Sequence, residues 1–139
     1  MMTPFKLIEH TADLGMEFSG ASMELLFAAA GEGLFHVITH FNDIECKDTI
    51  EIEISGTDRE DLMINWLREL LYHHQVKGML FKTFEVEEVG ETSLRAKVSG
   101  QKYDPLRHVI KTEIKAATYH GLKVAKTPKG WMAKVIFDV

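Results

Sequence analysis

Two short segments at opposite ends of the sequence carry residue types that could do chemistry. His10 and Asp13 lie three residues apart after a short apolar run, and Asp138 stands beside the last residue, Val139. Polar side chains grouped beside a strand form either a turn that hydrogen-bonds its own backbone or a small site, because an Asp side chain can mimic a backbone turn. The residues at 10–13 leave both interpretations open.

Carboxylates from the two segments would form a cation site if the fold brought them together. Asp138 and the terminal carboxylate of Val139 belong to adjacent residues, so a last strand that ends beside Asp13 would gather three carboxylates. This requires a last strand antiparallel to the strand after Asp13, or parallel to the strand before it. Three carboxylates repel one another unless a cation lies among them. Ligands that are all oxygen suit Ca²⁺, Mg²⁺ or Mn²⁺ rather than Zn²⁺.

The remaining candidates for chemistry have weaker patterns. His36 and His40 have i, i+4 spacing but no third ligand, and the sequence has no glycine-rich phosphate loop. No Ser, Thr or Cys stands beside an evident base, which disfavours nucleophilic catalysis. Residues 107–120 mix Lys, His, Arg and Glu with apolar residues. That segment fits either a half-exposed strand with solvated charges or a polar surface offered to a partner.

Length, charge and composition limit the class of protein. A chain of 139 residues is expected to form one domain, residues 1–139. A formal charge of −5 without a run of Lys and Arg disfavours direct nucleic-acid binding and favours a cation or a basic partner. No apolar run approaches the roughly 20 residues of a membrane helix, and the first residues lack a signal-peptide core. With Cys46 as the only cysteine, we expect a cytoplasmic protein.

Hydrophobic periodicity predicts the elements that must position these residues. Strands are expected at 5–9, 14–19, 49–55, 80–86, 94–98, 122–126 and 131–137, and residues 108–118 fit a helix or a strand. One helix is expected over 22–40, and a second opens with a capping box at 57–60 and closes at Gly78. Gly31 and Gly33 weaken the first helix, so we expect them to allow close packing on a sheet.

The order of these elements predicts the fold class. It contains no repeated strand–helix–strand unit, and long stretches run directly from strand to strand. This pattern is typical of an α+β fold, in which two amphipathic helices pack on a mainly antiparallel sheet.

Five separated motifs are spread across essentially the whole chain. They are His10-Thr-Ala-Asp-Leu-Gly15, Trp66-Leu-Arg-Glu-Leu-Leu-Tyr72, Tyr103-Asp-Pro-Leu-Arg-His108, Lys111-Thr-Glu-Ile-Lys-Ala-Ala-Thr-Tyr-His120 and the terminal segment from Trp131 to Asp138-Val139. Together these motifs resemble the archease family. The resemblance implies a protein that is not itself an enzyme. It implies an activator of the RtcB-type RNA ligase that promotes ligase guanylylation and multiple turnover in tRNA splicing and RNA repair.

The resemblance also implies site residues and partners. The ligase is the partner, RNA is reached only through it, and no membrane is involved. Two rival classes stay open, a stand-alone metal-dependent phosphoester hydrolase and a chaperone-like binding module. The family's Ca²⁺ site falls on Asp13, Asp138 and the Val139 carboxylate, and its ligase-facing surface falls on Lys111, Lys115, Thr118 and His120.

Overall fold

Seven strands and two α-helices make up the computed structural model, which describes residues 5–9 and 13–139. Residues 10–12, which belong to the 10–13 segment interpreted as either a turn or a small site, lie outside the described residues. A single turn of 3-10 helix follows α1 at Phe41–Asp43. The elements are β1 (Phe5–Glu9), β2 (Asp13–Gly20), α1 (Met23–Ile38), β3 (Asp48–Ser55), α2 (Arg59–Gln75), β4 (Met79–Val89), β5 (Ser93–Lys102), β6 (Ala116–Thr127) and β7 (Gly130–Asp138).

The strands form two sheets. One has four strands in the order β1-β2-β7-β6, and the other has three in the order β3-β5-β4. Every pairing between these strands is antiparallel. The predicted α+β class with two helices on antiparallel sheet is confirmed, and the strands divide between two sheets. None of the helices in the described part of the chain is long and apolar enough to cross a membrane.

Buried and exposed side chains alternate along the strands and show which face of the four-stranded sheet is buried. Met16 and Phe18 on β2 are at most 1% exposed, and so is their neighbour Phe137 on β7. These side chains belong to the hydrophobic core, where α1 packs against β2. Because successive side chains on a strand point to opposite faces, Asp13 and Asp138 lie on the outer face.

Two glycines let α1 lie close to both sheets. A methyl group on Gly31 would lie 2.5 Å from Cδ1 of Phe84, which belongs to the three-stranded sheet. A methyl group on Gly33 would lie 2.8 Å from Cε1 of Phe18, which belongs to the four-stranded sheet. The expected role of these glycines in close packing is therefore confirmed.

Replacing Gly31 by Ala should lower the free energy of unfolding by about 1 kcal/mol. Higher helix propensity contributes roughly 1 kcal/mol in favour of Ala, while overpacking of a core costs about 1–3 kcal/mol. The ring of Phe84 cannot retreat easily, since the rings of Phe35 and Trp66 lie 6.0 and 6.4 Å from it, centroid to centroid. Urea unfolding measures the difference.

The propensity contribution can be measured separately in the same helix. Leu25 is 55% exposed, so Leu25→Gly and Leu25→Ala differ mainly in helix propensity. Leu25→Ala should be more stable than Leu25→Gly. At position 31 the order is reversed, because the wild type with Gly31 should be more stable than Gly31→Ala. A Gly31→Ala protein as stable as the wild type would contradict the packing argument.

The helix ends follow local sequence signals, with one correction. Ser22 caps α1, its side chain accepting a hydrogen bond from the N–H of Leu25. The predicted capping box at 57–60 is displaced by one residue, because Asp58 is the N-cap of α2 and accepts from the N–H of Asp61. Gly78 has φ of +69° just beyond α2, as expected for a residue that ends a helix.

Candidate functional site

The start of β2 and the end of β7 meet at one end of the four-stranded sheet. Asp13 and Asp138 are direct cross-strand partners, so their side chains lie on the same face with their Cβ atoms about 5 Å apart. Asp138 lies opposite Ala116 on its other side, and its carbonyl accepts a hydrogen bond of 2.8 Å from the N–H of Lys115. The last strand is thus antiparallel to the strand that begins at Asp13, which is one of the two arrangements that the cation site requires.

The carboxylates at this end differ in accessibility. Asp13 is half-buried, whereas Asp138 and Val139 are exposed. Among residues 5–9 and 13–139, no three His, Cys, Asp or Glu side chains converge as a metal site. A cation held by the two aspartates therefore needs a further oxygen, and the terminal carboxylate of Val139 stands on the residue next to Asp138. His10, the first residue of the motif, lies outside the described residues.

The four residues that the resemblance assigns to a partner surface lie in three places, and His120 is described separately below. Lys115 and Thr118 flank the part of β6 that lies opposite Asp138. Lys111 lies at the C-terminal end of α1, where its N–H donates a 2.7 Å hydrogen bond to the carbonyl of Ile38. Both lysines are exposed. The strand register thus brings Lys115 and Thr118, but not Lys111, next to the aspartate pair.

His120 lies in a bulge that separates two regular parts of β6. Pairing with β7 stops at Thr118 and resumes at Lys123, so residues 119–122 lie opposite the single residue Val135. Gly121 in this bulge has φ of +63°, a conformation that glycine adopts readily and other residues avoid. We name this segment, residues 119–122, the β6 bulge. The sequence analysis missed it, and a glycine inside a strand pattern was the signal that could have indicated it.

One side chain of the β6 bulge reaches α2. The hydroxyl of Tyr119 donates a 2.6 Å hydrogen bond to Oδ1 of Asp61, and the guanidinium of Arg68 lies 5.0 Å from the centre of the Tyr119 ring. This hydrogen bond holds the pKa of Asp61 below its usual value and raises the pKa of Tyr119. The bulge is therefore tied to the helix as well as to its own sheet.

Residues 103–115, which the sequence left ambiguous in part, form neither a helix nor a strand. They run as irregular backbone with one isolated bridge, between Thr39 and Ile110. The side chain of Gln75 donates hydrogen bonds of 2.7 and 3.1 Å to the carbonyls of Ile114 and Lys115. The side chain of Gln75 thus forms hydrogen bonds to two backbone carbonyls that would be paired with a neighbouring strand if this segment were part of a sheet.

His108 is the buried anchor of this segment. It is 2% exposed, and its Nδ1 accepts a 2.9 Å hydrogen bond from the N–H of Asp104. The proton of the neutral ring must then be on Nε2, which lies 3.1 Å from both the carbonyl of Asp43 and Oε1 of Gln101. Within the segment 107–120, His108 is thus a structural residue rather than part of an exposed polar surface.

Comparisons with known proteins agree over nearly the whole chain. Residues 5–139 match the archease protein family. The chain is 44% identical over 135 residues to the archease of Pyrococcus abyssi, covering 94% of this chain and 95% of that protein. It is 41% identical to the archease of Pyrococcus furiosus, covering 99% and 100%. The solution structure of Methanobacterium thermoautotrophicum protein 1598 is 30% identical and superposes with a TM-score of 0.86, covering 99% of this chain and 100% of that one.

Proposed function

The chain belongs to the archease family, and on that premise we propose that it is a non-catalytic activator of an RtcB-type RNA ligase. In this proposal it promotes guanylylation of the ligase and restores multiple turnover in tRNA splicing and RNA repair. The observation that carries the proposal is the direct pairing of Asp13 with Asp138, one residue before Val139, on an outer sheet face. That arrangement supports a cation site at an accessible end of the molecule.

The donor set fits a hard divalent cation. Asp13, Asp138 and the terminal carboxylate of Val139 offer only oxygen atoms, which suits Ca²⁺ first in this proposal and Mg²⁺ or Mn²⁺ as alternatives. Such a cation would neutralise negative charge beside the phosphates of the nucleotide, the main requirement of phosphoryl transfer. The protein's own contribution is to hold two carboxylates together at a fixed strand register despite their mutual repulsion.

In this proposal the contacts with the ligase come from residues beside the aspartate pair, from the β6 bulge and from Lys111 at the end of α1. Lys111, Lys115, Thr118 and His120 are proposed to form the surface that meets it. The net charge of −5 suits a partner that is basic because it binds RNA, and such complementarity speeds association and favours the right partner. RNA is then bound by the ligase and reached by this protein only indirectly.

Ligation with RNA substrate in excess over a cognate RtcB-type ligase tests the proposal. With GTP and Mn²⁺ present, addition of this protein should convert a ligase that stops after a single turnover into one that turns over repeatedly. An unchanged amount of ligated RNA would refute the activator role. Loss of a phosphoester from substrate when the ligase is omitted would instead indicate a metal-dependent hydrolase. Protection of assorted unfolded proteins from aggregation would indicate a chaperone-like module.

A further inference from the structure

The backbone of the β6 bulge is fixed where it leaves the sheet. The hydroxyl of Thr118 donates a 2.9 Å hydrogen bond to the carbonyl of Ile136 on β7. The same oxygen accepts a 3.3 Å hydrogen bond from the N–H of His120. Thr118 therefore links the backbone of His120 to the neighbouring strand.

A second attachment joins the bulge to α2. Tyr119 donates to Oδ1 of Asp61, whose other oxygen accepts a 2.8 Å hydrogen bond from the N–H of Thr57 just before the helix. The carboxylate that accepts the hydrogen bond from Tyr119 is thus itself held by a backbone N–H at the start of α2. Arg68, about two turns further along the helix, contacts the ring of the same tyrosine. His120 lies directly after a residue held by two side chains of α2.

These contacts contribute little to the hydrophobic core. Tyr119 is 49% exposed, and Asp61 and Arg68 lie on the surface side of α2. Hydrogen bonds and charge contacts in such positions stabilise a fold only weakly. Holding a loop in its bound conformation, by contrast, lowers the entropy lost when a partner binds.

We propose that Tyr119, Asp61 and Arg68 are positioning residues that hold the β6 bulge so that His120 is presented to the ligase. The inference rests on the proposed function, because presentation of His120 affects activity only if the ligase meets this surface. It assigns a role in activation to α2, a helix that supplies none of the residues of the partner surface.

Tyr119→Phe is the most direct test, because it removes the hydroxyl and keeps the ring. The concentration of this protein that gives half-maximal ligase stimulation should rise about tenfold, while maximal stimulation and the melting temperature stay unchanged. Tyr72→Phe is the matched control. Tyr72 is 47% exposed, and its hydroxyl makes no hydrogen bond among the described residues. Asp61→Asn, which keeps an acceptor for Tyr119, should have a smaller effect than Asp61→Ala.

Amide hydrogen exchange at His120 and Gly121 gives a readout that needs no ligase. Both amides should exchange faster in Tyr119→Phe than in the wild type. If the wild type activates the ligase and Tyr119→Phe has the same half-maximal concentration, the positioning role is overturned, whatever the exchange rates. A lower melting temperature with lower maximal stimulation would also overturn it, since that pattern indicates a role in folding. If the wild type itself fails to activate, the proposed function is refuted and the inference is refuted with it.

Discussion

Replacing Asp13 by Ala should abolish activation of the ligase and leave the protein folded. Asp13 is one of the two carboxylates that the β2–β7 register places together, so its loss leaves too few oxygen atoms to hold a divalent cation. Like charges directly opposite each other on a sheet destabilise it by up to about 1 kcal/mol. The free energy of unfolding should therefore stay within about 1 kcal/mol of the wild-type value. Ligation with excess RNA and urea unfolding measure the two quantities.

A matched variant and a binding measurement separate the cation site from general charge effects. Asp48 is likewise the first residue of a strand, but it is exposed and its cross-strand partner is Gly100. Asp48→Ala removes the same charge and should activate like the wild type. Titration calorimetry should detect Ca²⁺ binding to the wild type and to Asp48→Ala, and none to Asp13→Ala. Full activation by Asp13→Ala would show that the carboxylate pair has no part in the function.

Replacing His108 by Ala should produce the largest loss of stability among the variants proposed for this protein, about 3–5 kcal/mol. The substitution opens a cavity at a site that is 2% exposed. It also removes the ring from its three hydrogen-bond partners, the N–H of Asp104, the carbonyl of Asp43 and the amide of Gln101. Urea unfolding gives the difference in free energy. A loss of this size is a large share of the 5–15 kcal/mol that is typical for a domain.

The neighbouring residue supplies the control for that experiment. Arg107 forms an ion pair of 2.5 Å with Glu45, and both side chains are more than two-fifths exposed. Exposed ion pairs of this kind contribute little to stability, so Arg107→Ala should have a small effect. If His108→Ala cost no more than Arg107→Ala, the histidine would not be the anchor of residues 103–115.

Local pattern was sufficient to predict most of the elements. Along β3, Ile50, Ile52 and Ile54 alternate with glutamates, and this alone places a strand with one buried face. The N-cap of α2 was misplaced because Thr57 and Asp58 are both good capping residues, and the choice depends on which one adopts the cap backbone conformation. The division into two sheets was not predicted, because it depends on pairing between strands that are far apart in the sequence, such as β3 with β5.

The sequence predicted the candidate site only on the condition that the last strand ends beside Asp13. The residue types at 13, 138 and 139 suggested a cation site, but the sequence could not establish that β7 pairs with β2 in the register that aligns the two aspartates. The β6 bulge and the burial of His108 were both missed. Each depends on hydrogen bonds between residues distant in sequence, such as Tyr119 with Asp61 and His108 with Asp43. Periodicity within one segment does not report such contacts.

The β6 bulge has one more consequence, for self-association. Among the described strands, β6 lies at an edge of the four-stranded sheet and has backbone groups that a second copy of the chain could pair with. An incoming straight strand needs an uninterrupted row of donors and acceptors, and residues 119–122, which lie opposite the single residue Val135, interrupt that row. The edges β3 and β4 carry exposed glutamates instead, which repel the same edge of another molecule. The distortion of β6 thus makes this edge of the sheet a poor template for edge-to-edge pairing.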